Sequence, residues 1–191
     1  NVQKLYTEGR SRVATPEEFR SLLRHSNPRL RRVLLFIRLT GVRPGEFCNL
    51  VWEDVDLSRS VAVLNNHKTK RKTGRPRIIY LPQVVVSLLR FELRSSDGKG
   101  PVFRTKSGRS WKVRDFRTIF VRLTEQAGIG PDRNGENLVP YSIRHTFASS
   151  AWAAGVTDRR LAELLGHTRV TTTQRYIHPS AEALGKAVSD A

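Results

Sequence analysis

The chain has 191 residues, 34 of them Lys or Arg and 17 Asp or Glu, for a formal net charge of +17. An excess of that size speaks to partners and solubility rather than to fold, and it sets aside a neutral-surface metabolic enzyme in favour of a protein that meets a polyanion, nucleic acid first. Hydrophobic residues are 38% of the chain, with eight Phe, four Tyr and three Trp, which excludes wholesale disorder; runs such as Val33 to Ile37 are too short to span a bilayer.

Along the chain, residues 1–12 are polar and read as a linker. Thr15-Pro16-Glu17-Glu18 is a helix start: Thr15 caps, Pro16 suits the first helical position and Glu18 completes a capping box, for a helix reaching His25. A second helix follows Pro28, with Leu30, Val33, Leu34, Leu35 and Ile37 at helical spacing, and stops at Gly41. A short one runs from Pro44 to Leu50. Ser60 to Leu64 and Arg77 to Leu81 alternate and are β-branched, so they form a β-hairpin around a strongly basic turn, His67 to Arg75. Helices then cover Val84 to Leu93 and Asp115 to Ala127, with Val102-Phe103 as a short extra strand between them. The last third is helical: Ser142 to Ala154, Thr157 to Leu165, Val170 to Tyr176 and a tail helix, Ala181 to Val188. The expected architecture is one mainly α domain with a small antiparallel β-sheet (α+β), and Trp52, Trp111 and Trp152 belong to its core.

Four polar segments are placed at helix starts or turns, where free N–H groups and the helix dipole favour phosphate. They are Thr40-Gly41-Val42-Arg43-Pro44-Gly45-Glu46; His67-Lys68-Thr69; Tyr141-Ser142-Ile143-Arg144-His145-Thr146-Phe147-Ala148; and Leu164-Leu165-Gly166-His167-Thr168 followed by Thr172-Thr173-Gln174-Arg175-Tyr176. In this order, with His167 twenty-three residues after Arg144 and nine before Tyr176, the chain resembles the catalytic domain of the tyrosine recombinases, the family of phage-type integrases and Xer-type recombinases. The likeness spans roughly Thr15 to Pro179.

The resemblance implies a site-specific recombinase or integrase that cuts and rejoins double-stranded DNA through a covalent 3′-phosphotyrosine, with no metal, ATP or other cofactor. The residues fit that chemistry. Metal-free phosphodiester cleavage needs a nucleophile, charge stabilisation at the non-bridging oxygens and an acid for the leaving oxygen. Arg43 and Arg144 offer two permanently charged forks. Tyr176 offers the nucleophile, its ordinary pKa of about 10 requiring positive charge nearby. Lys68 offers the acid, with Lys70 and Lys72 as rivals, and His167 a phosphate contact or proton carrier. The remaining basic residues of the hairpin, Lys70, Arg71, Lys72, Arg75 and Arg77, are expected to grip the DNA backbone together with Lys68. Glu46 is expected to brace the Arg43 turn.

Tyr141 departs from the pattern: most members of the family carry histidine three residues before the second arginine. A phenol still donates a hydrogen bond to phosphate but is neither a cationic acid nor a base near neutral pH, so altered proton handling is expected. Tyr141 is also a rival nucleophile, placed at a helix start beside Arg144, and His145 reads as a bracing residue.

Other readings stay open at this point. Arg43 can be a surface arginine after a helix-ending glycine, Arg144 a first-turn residue, and His167 a helix C-terminal cation. A DNA-binding module impaired in catalysis and a type IB topoisomerase-like relaxing enzyme share these features. Five histidines and one cysteine show no metal-ligand spacing. The lone Cys48 excludes an internal disulfide and suits a reducing compartment, so a cytosolic, nucleoid-associated location is expected. The sequence holds no methionine, even at position 1, which reads as a fragment: residues 1–12 ending a linker from an N-terminal DNA-clamping domain, and residues 13–191 forming the catalytic domain with its tail helix. The resemblance implies a tetramer on two DNA sites for the full-length protein, while the fragment can be monomeric.

Overall fold

The computed structural model describes residues 12–64 and 76–167. Seven helices and one small sheet are built from these residues. Helix α1 is Pro16–His25, α2 Pro28–Thr40, α3 Pro44–Cys48, α4 Gln83–Arg94, α5 Val113–Gln126, α6 Pro140–Ala153 and α7 Asp158–Leu165. The strands are β1 (Val55–Asp56), β2 (Val61–Leu64) and β3 (Arg77–Tyr80), paired antiparallel in that order.

Local chemistry sets the boundaries. The Thr15 hydroxyl accepts from the Glu18 amide at 3.2 Å while the Glu18 carboxylate accepts from the Thr15 amide at 2.9 Å, the expected capping box. Asn27 caps α2 by accepting from the Leu30 amide at 2.9 Å. Gly41 ends α2 in the left-handed region, φ 64°. A Cβ there would lie 2.3 Å from the Phe147 ring, so glycine serves both the turn and the close approach of α6.

Helix α2 is the axis of the body. It buries Leu30, Val33, Leu34, Phe36 and Ile37 and packs against α1, α4 and α6. Beside it lies an aromatic cluster: Phe36 meets Phe103 at 4.9 Å between ring centroids, Phe47 meets Phe116 edge-on at 4.8 Å, and Trp111 meets Phe116 at 6.0 Å. Trp52 and Trp111 are in the core as expected; Trp152 packs on a smaller cluster of Ala148, Leu161 and Leu165.

Three sequence expectations change. Val102-Phe103 is buried but not a strand. Single bridges, Val51 to Pro101 and Arg104 to Ser110, flank it, and Pro101 has no N–H with which to extend a ladder. The third strand is instead Val55–Asp56, two residues long and too short for any periodicity. Helices α5 and α6 each start two residues earlier than read from the pattern, so Arg144 is the fifth residue of α6 and lies in its second turn rather than its first. Arg12, at the end of the expected linker, is buried in the body: its guanidinium pairs with Glu18 at 2.5 Å and its amide donates to Glu136 at 3.0 Å. The expected helices at 170–176 and 181–188 lie outside the described residues.

Candidate functional site

The C-terminus of α7 is where the sequence candidates converge. A helix ends with carbonyls that lack an intrahelical partner and carry partial negative charge. Here three arginines from three separate segments take them. Arg77 Nη1 donates to Glu163 O at 3.3 Å and Arg77 Nη2 to Leu164 O at 2.5 Å. Arg144 Nη2 donates to Leu165 O at 2.6 Å. Arg43 Nη2 donates to Gly166 O at 3.1 Å. Arg144 Nη1 also reaches Gly41 O at 2.5 Å, tying the end of α2 to the same point.

One carboxylate serves this cluster. Glu46 accepts from Arg43 Nη1 at 2.7 Å and from the Arg43 amide at 2.9 Å, and lies 3.8 Å from Arg77 Nε. It braces the Arg43 turn as expected and is also the counter-ion of Arg77. Burial pushes its carboxyl upward, but the charges of Arg77 and Arg43, the Arg43 amide and Arg144 outweigh burial and hold it below the usual carboxylate range. Among the described residues, the three guanidiniums share the Glu46 carboxylate, an excess of positive charge that suits an anion site.

His167 sits directly after the Gly166 turn, and its amide donates to Ala162 O at 2.8 Å. Its Nε2 lies 3.2 Å from Arg144 Nη2. A guanidinium only donates, so Nε2 accepts and the proton is on Nδ1. Burial, followed by the charges of Arg144, Arg43 and Arg77, holds the imidazole at about 3. His167 is therefore neutral near pH 7 and is not the helix C-terminal cation of the simpler reading.

The arginines differ in access. The side chain of Arg43 is 22% exposed, that of Arg77 4%, and Arg144 is fully buried. Arg43 offers direct contact to an incoming anion. Arg144 is held inside by Gly41 O, Leu165 O and His167 Nε2. Tyr141 stands at the edge of the site, its ring 5.8 Å from Arg144 Cζ and 4.9 Å, edge-on, from the His145 ring. His145 is buried against it, the bracing place expected; burial, then Arg144, lowers it to about 4. A largely apolar cleft of about 230 Å³, lined by Pro44, Val113, Phe116, Arg117, Pro140 and Tyr141, opens between α5 and the starts of α3 and α6.

Arg77 corrects a sequence expectation. It is not part of an exposed DNA-gripping tip. Strand β3 buries Arg77 and Ile79 and exposes Ile78 and Tyr80, so period-two alternation turns the arginine inward onto α7. Lys68, Lys70, Arg71, Lys72, Arg75 and Tyr176 lie outside the described residues. Among the described residues no His, Cys, Asp and Glu cluster could hold a metal ion, and no helix is long and apolar enough to cross a membrane. Another cavity of about 220 Å³, with Arg29, Arg32, Glu92, Arg104 and Lys106 in its lining, lies at the far end of α2; at 1.5 Å per residue Arg29 is roughly 18 Å along the axis from Gly41, beyond reach of one anion bound at Arg43.

Comparison with known proteins places this arrangement. Residues 12–183 match the Phage integrase family. Tyrosine recombinase XerA of Thermococcus kodakarensis is 30% identical over 183 residues, covering 92% of this chain and 61% of that protein. Tyrosine recombinase XerC of Xylella fastidiosa strain M23 is 31% identical over 159 residues, covering 82% of this chain and 50% of that one. The chain thus spans about three fifths or less of the length of these curated relatives. Among solved structures, a crystal structure of XerA recombinase superposes with a TM-score of 0.74 at 28% identity over 93% of this chain and 64% of that one. The Tn1549 transposon integrase, solved in complex with transposon right end DNA, shares the fold with a TM-score of 0.74 at 19% identity, over 96% of this chain and 67% of that one. The mainly helical body with its three-stranded antiparallel sheet is the tyrosine recombinase catalytic fold, and the chain belongs to the phage integrase family.

Proposed function

We propose that this chain is the catalytic part of a site-specific DNA recombinase that cuts and rejoins strands through a 3′-phosphotyrosine at Tyr176. The observation that carries the reading is the excess of buried guanidinium charge around Glu46, set beside a neutral histidine at the end of α7. Such a site is built for a phosphodiester: it is cationic, preorganised by backbone carbonyls and partly desolvated.

In the cleavage step the Tyr176 oxygen attacks phosphorus and the bond from phosphorus to the 5′ oxygen breaks. Lys68 gives its proton to that leaving oxygen. Arg43, with Arg144 behind it, balances the charge that grows on the non-bridging oxygens. His167 is neutral before binding, with its ring proton on Nδ1. A bound phosphate also adds negative charge beside the imidazole and raises its affinity for the proton that Tyr176 gives up. Tyr141 can donate a hydrogen bond from its phenol but cannot carry a cation, and it is the rival nucleophile. The bond energy stays in the phosphotyrosine, so another strand's hydroxyl reverses the step with no cofactor. The net charge of +17 then serves double-stranded DNA as partner. A tetramer on two sites and a cytosolic, nucleoid-associated location complete the reading, both carried by the family likeness.

The test is a nicked suicide substrate that traps the covalent intermediate. The wild-type chain is expected to form an adduct on denaturing gels and Tyr176→Phe none, with Tyr141→Phe still forming it. Equal adduct from Tyr176→Phe rules out this nucleophile. Salt-sensitive DNA binding with no adduct from any substrate favours an impaired binding module.

A further inference from the structure

Arg77 is charged, buried and absent from the chemistry just described. Its side chain is 4% exposed, against 22% for that of Arg43. Its donors go to Glu163 O, Leu164 O and the neighbouring Ile78 O, and its Nε faces Glu46. The contact with the α7 end is close: a Cβ on Gly166 would lie 2.6 Å from Arg77 Cδ and Nε. Gly166, at φ 62°, is the residue whose carbonyl receives Arg43 and whose next neighbour is His167.

We propose that Arg77 is a positioning residue for the phosphate site: it anchors the last turn of α7 to strand β3 and, through Glu46, to Arg43, and so sets where His167 and Arg43 stand. It never touches the substrate. The geometry gives the reason an arginine is used. Three carbonyls and one carboxylate oxygen need a planar fork with several donors, which the single ammonium of lysine cannot match. Burying this charge is costly unless it is paired and hydrogen-bonded, and a purely apolar residue facing Leu64 across the ladder would fill the space with less expense. The proposal rests on the cleavage reading for its consequence, but the anchoring itself does not.

Two readouts on the whole chain separate the two. The first is amide hydrogen exchange at Gly166 and His167, which donate to Glu163 O and Ala162 O at 2.9 and 2.8 Å. In Arg77→Met these amides should exchange about tenfold faster or more, with α4 amides unchanged and with partial recovery in Arg77→Lys. The second is single-turnover adduct formation on the nicked substrate. Arg77→Met should lose about a hundredfold in rate at saturating DNA, with DNA affinity within a few-fold of wild type and Arg77→Lys falling between. If Arg77→Met does not fold, Arg77→Lys carries both readouts. Unchanged exchange at Gly166 and His167 overturns the anchor. A wild-type cleavage rate per folded molecule overturns the positioning role. A wild-type chain that forms no adduct overturns the cleavage reading alone, and exchange still decides the anchor.

Discussion

Helices α5 and α6 have the same length, fourteen residues, and both are packed into the body, yet they bury opposite chemistries. The inward positions of α5 are Phe116, Phe120 and Leu123; those of α6 include Ser142, Arg144, His145 and Thr146 beside Ile143 and Ala148. The rings of α5 fill the aromatic cluster under α3, where burial alone stabilises. In α6, Thr146 donates to Ser142 O and accepts from the Ala14 amide, while Arg144 reaches the ends of α2 and α7 at Gly41 O and Leu165 O. Removing a guanidinium from water stabilises little on balance even when well paired. The comparison separates a helix held in by apolar burial from one whose buried positions are largely polar and charged.

The largest effect on stability is expected on the α5 side. Phe116→Ala should lower the unfolding free energy by about 3–5 kcal/mol in urea titrations. The folded fraction should form adduct at close to the wild-type rate. A rate loss as large as that of a site variant would dissolve the contrast between the two helices.

The α6 side should show itself in pH dependence. His145 and His167 are held at about 4 and about 3 in the folded state, below the ordinary 6.5. Below about pH 6.5 the unfolded chain takes up protons that the folded chain refuses, so stability falls as pH drops from there toward 4. The depressed Glu46 adds to this at lower pH: its contribution is full above the unfolded carboxylate value and is lost as pH falls through the lower folded one. Urea titrations between pH 7 and 4 should therefore show a falling unfolding free energy, with a shallower slope in His145→Gln. An unchanged slope in that variant would mean that the imidazole is already charged when folded.

The smallest effect is expected at Tyr141. Its ring contacts to Arg144 and His145 survive in Tyr141→Phe, so a loss of roughly tenfold or less in adduct rate isolates the hydroxyl as one hydrogen-bond donor. A complete loss would give that phenol a proton-transfer role, or make it the nucleophile.

How much of this was legible in the sequence follows from how local each cause is. The Thr15 capping box, the Pro28 start and the Gly41 stop depend on residues within a turn of one another, and they are readable in the sequence. The pairing of Glu46 with Arg43, three residues apart, was readable for the same reason. Arg77 was misjudged because its neighbours in sequence are basic while its partners Glu163 and Leu164 are more than eighty residues away. The neutrality of His167 was hidden likewise: it arises from burial and from three arginines that only the fold collects. Strand β1 owes its existence to pairing with β2 rather than to its own two residues. The order of Arg43, Arg144, His167 and Tyr176 pointed to the family, while the shared arginine cap on α7 exists only in three dimensions.

On the proposed cleavage chemistry, Arg144 is buried for a phosphate and not for the fold. The direct test measures single-turnover adduct formation and urea unfolding on the same preparations of Arg144→Met and Phe116→Ala. The account predicts that Arg144→Met loses about a thousandfold in adduct rate while losing less unfolding free energy than Phe116→Ala. Near-wild-type cleavage by a destabilised Arg144→Met would contradict it.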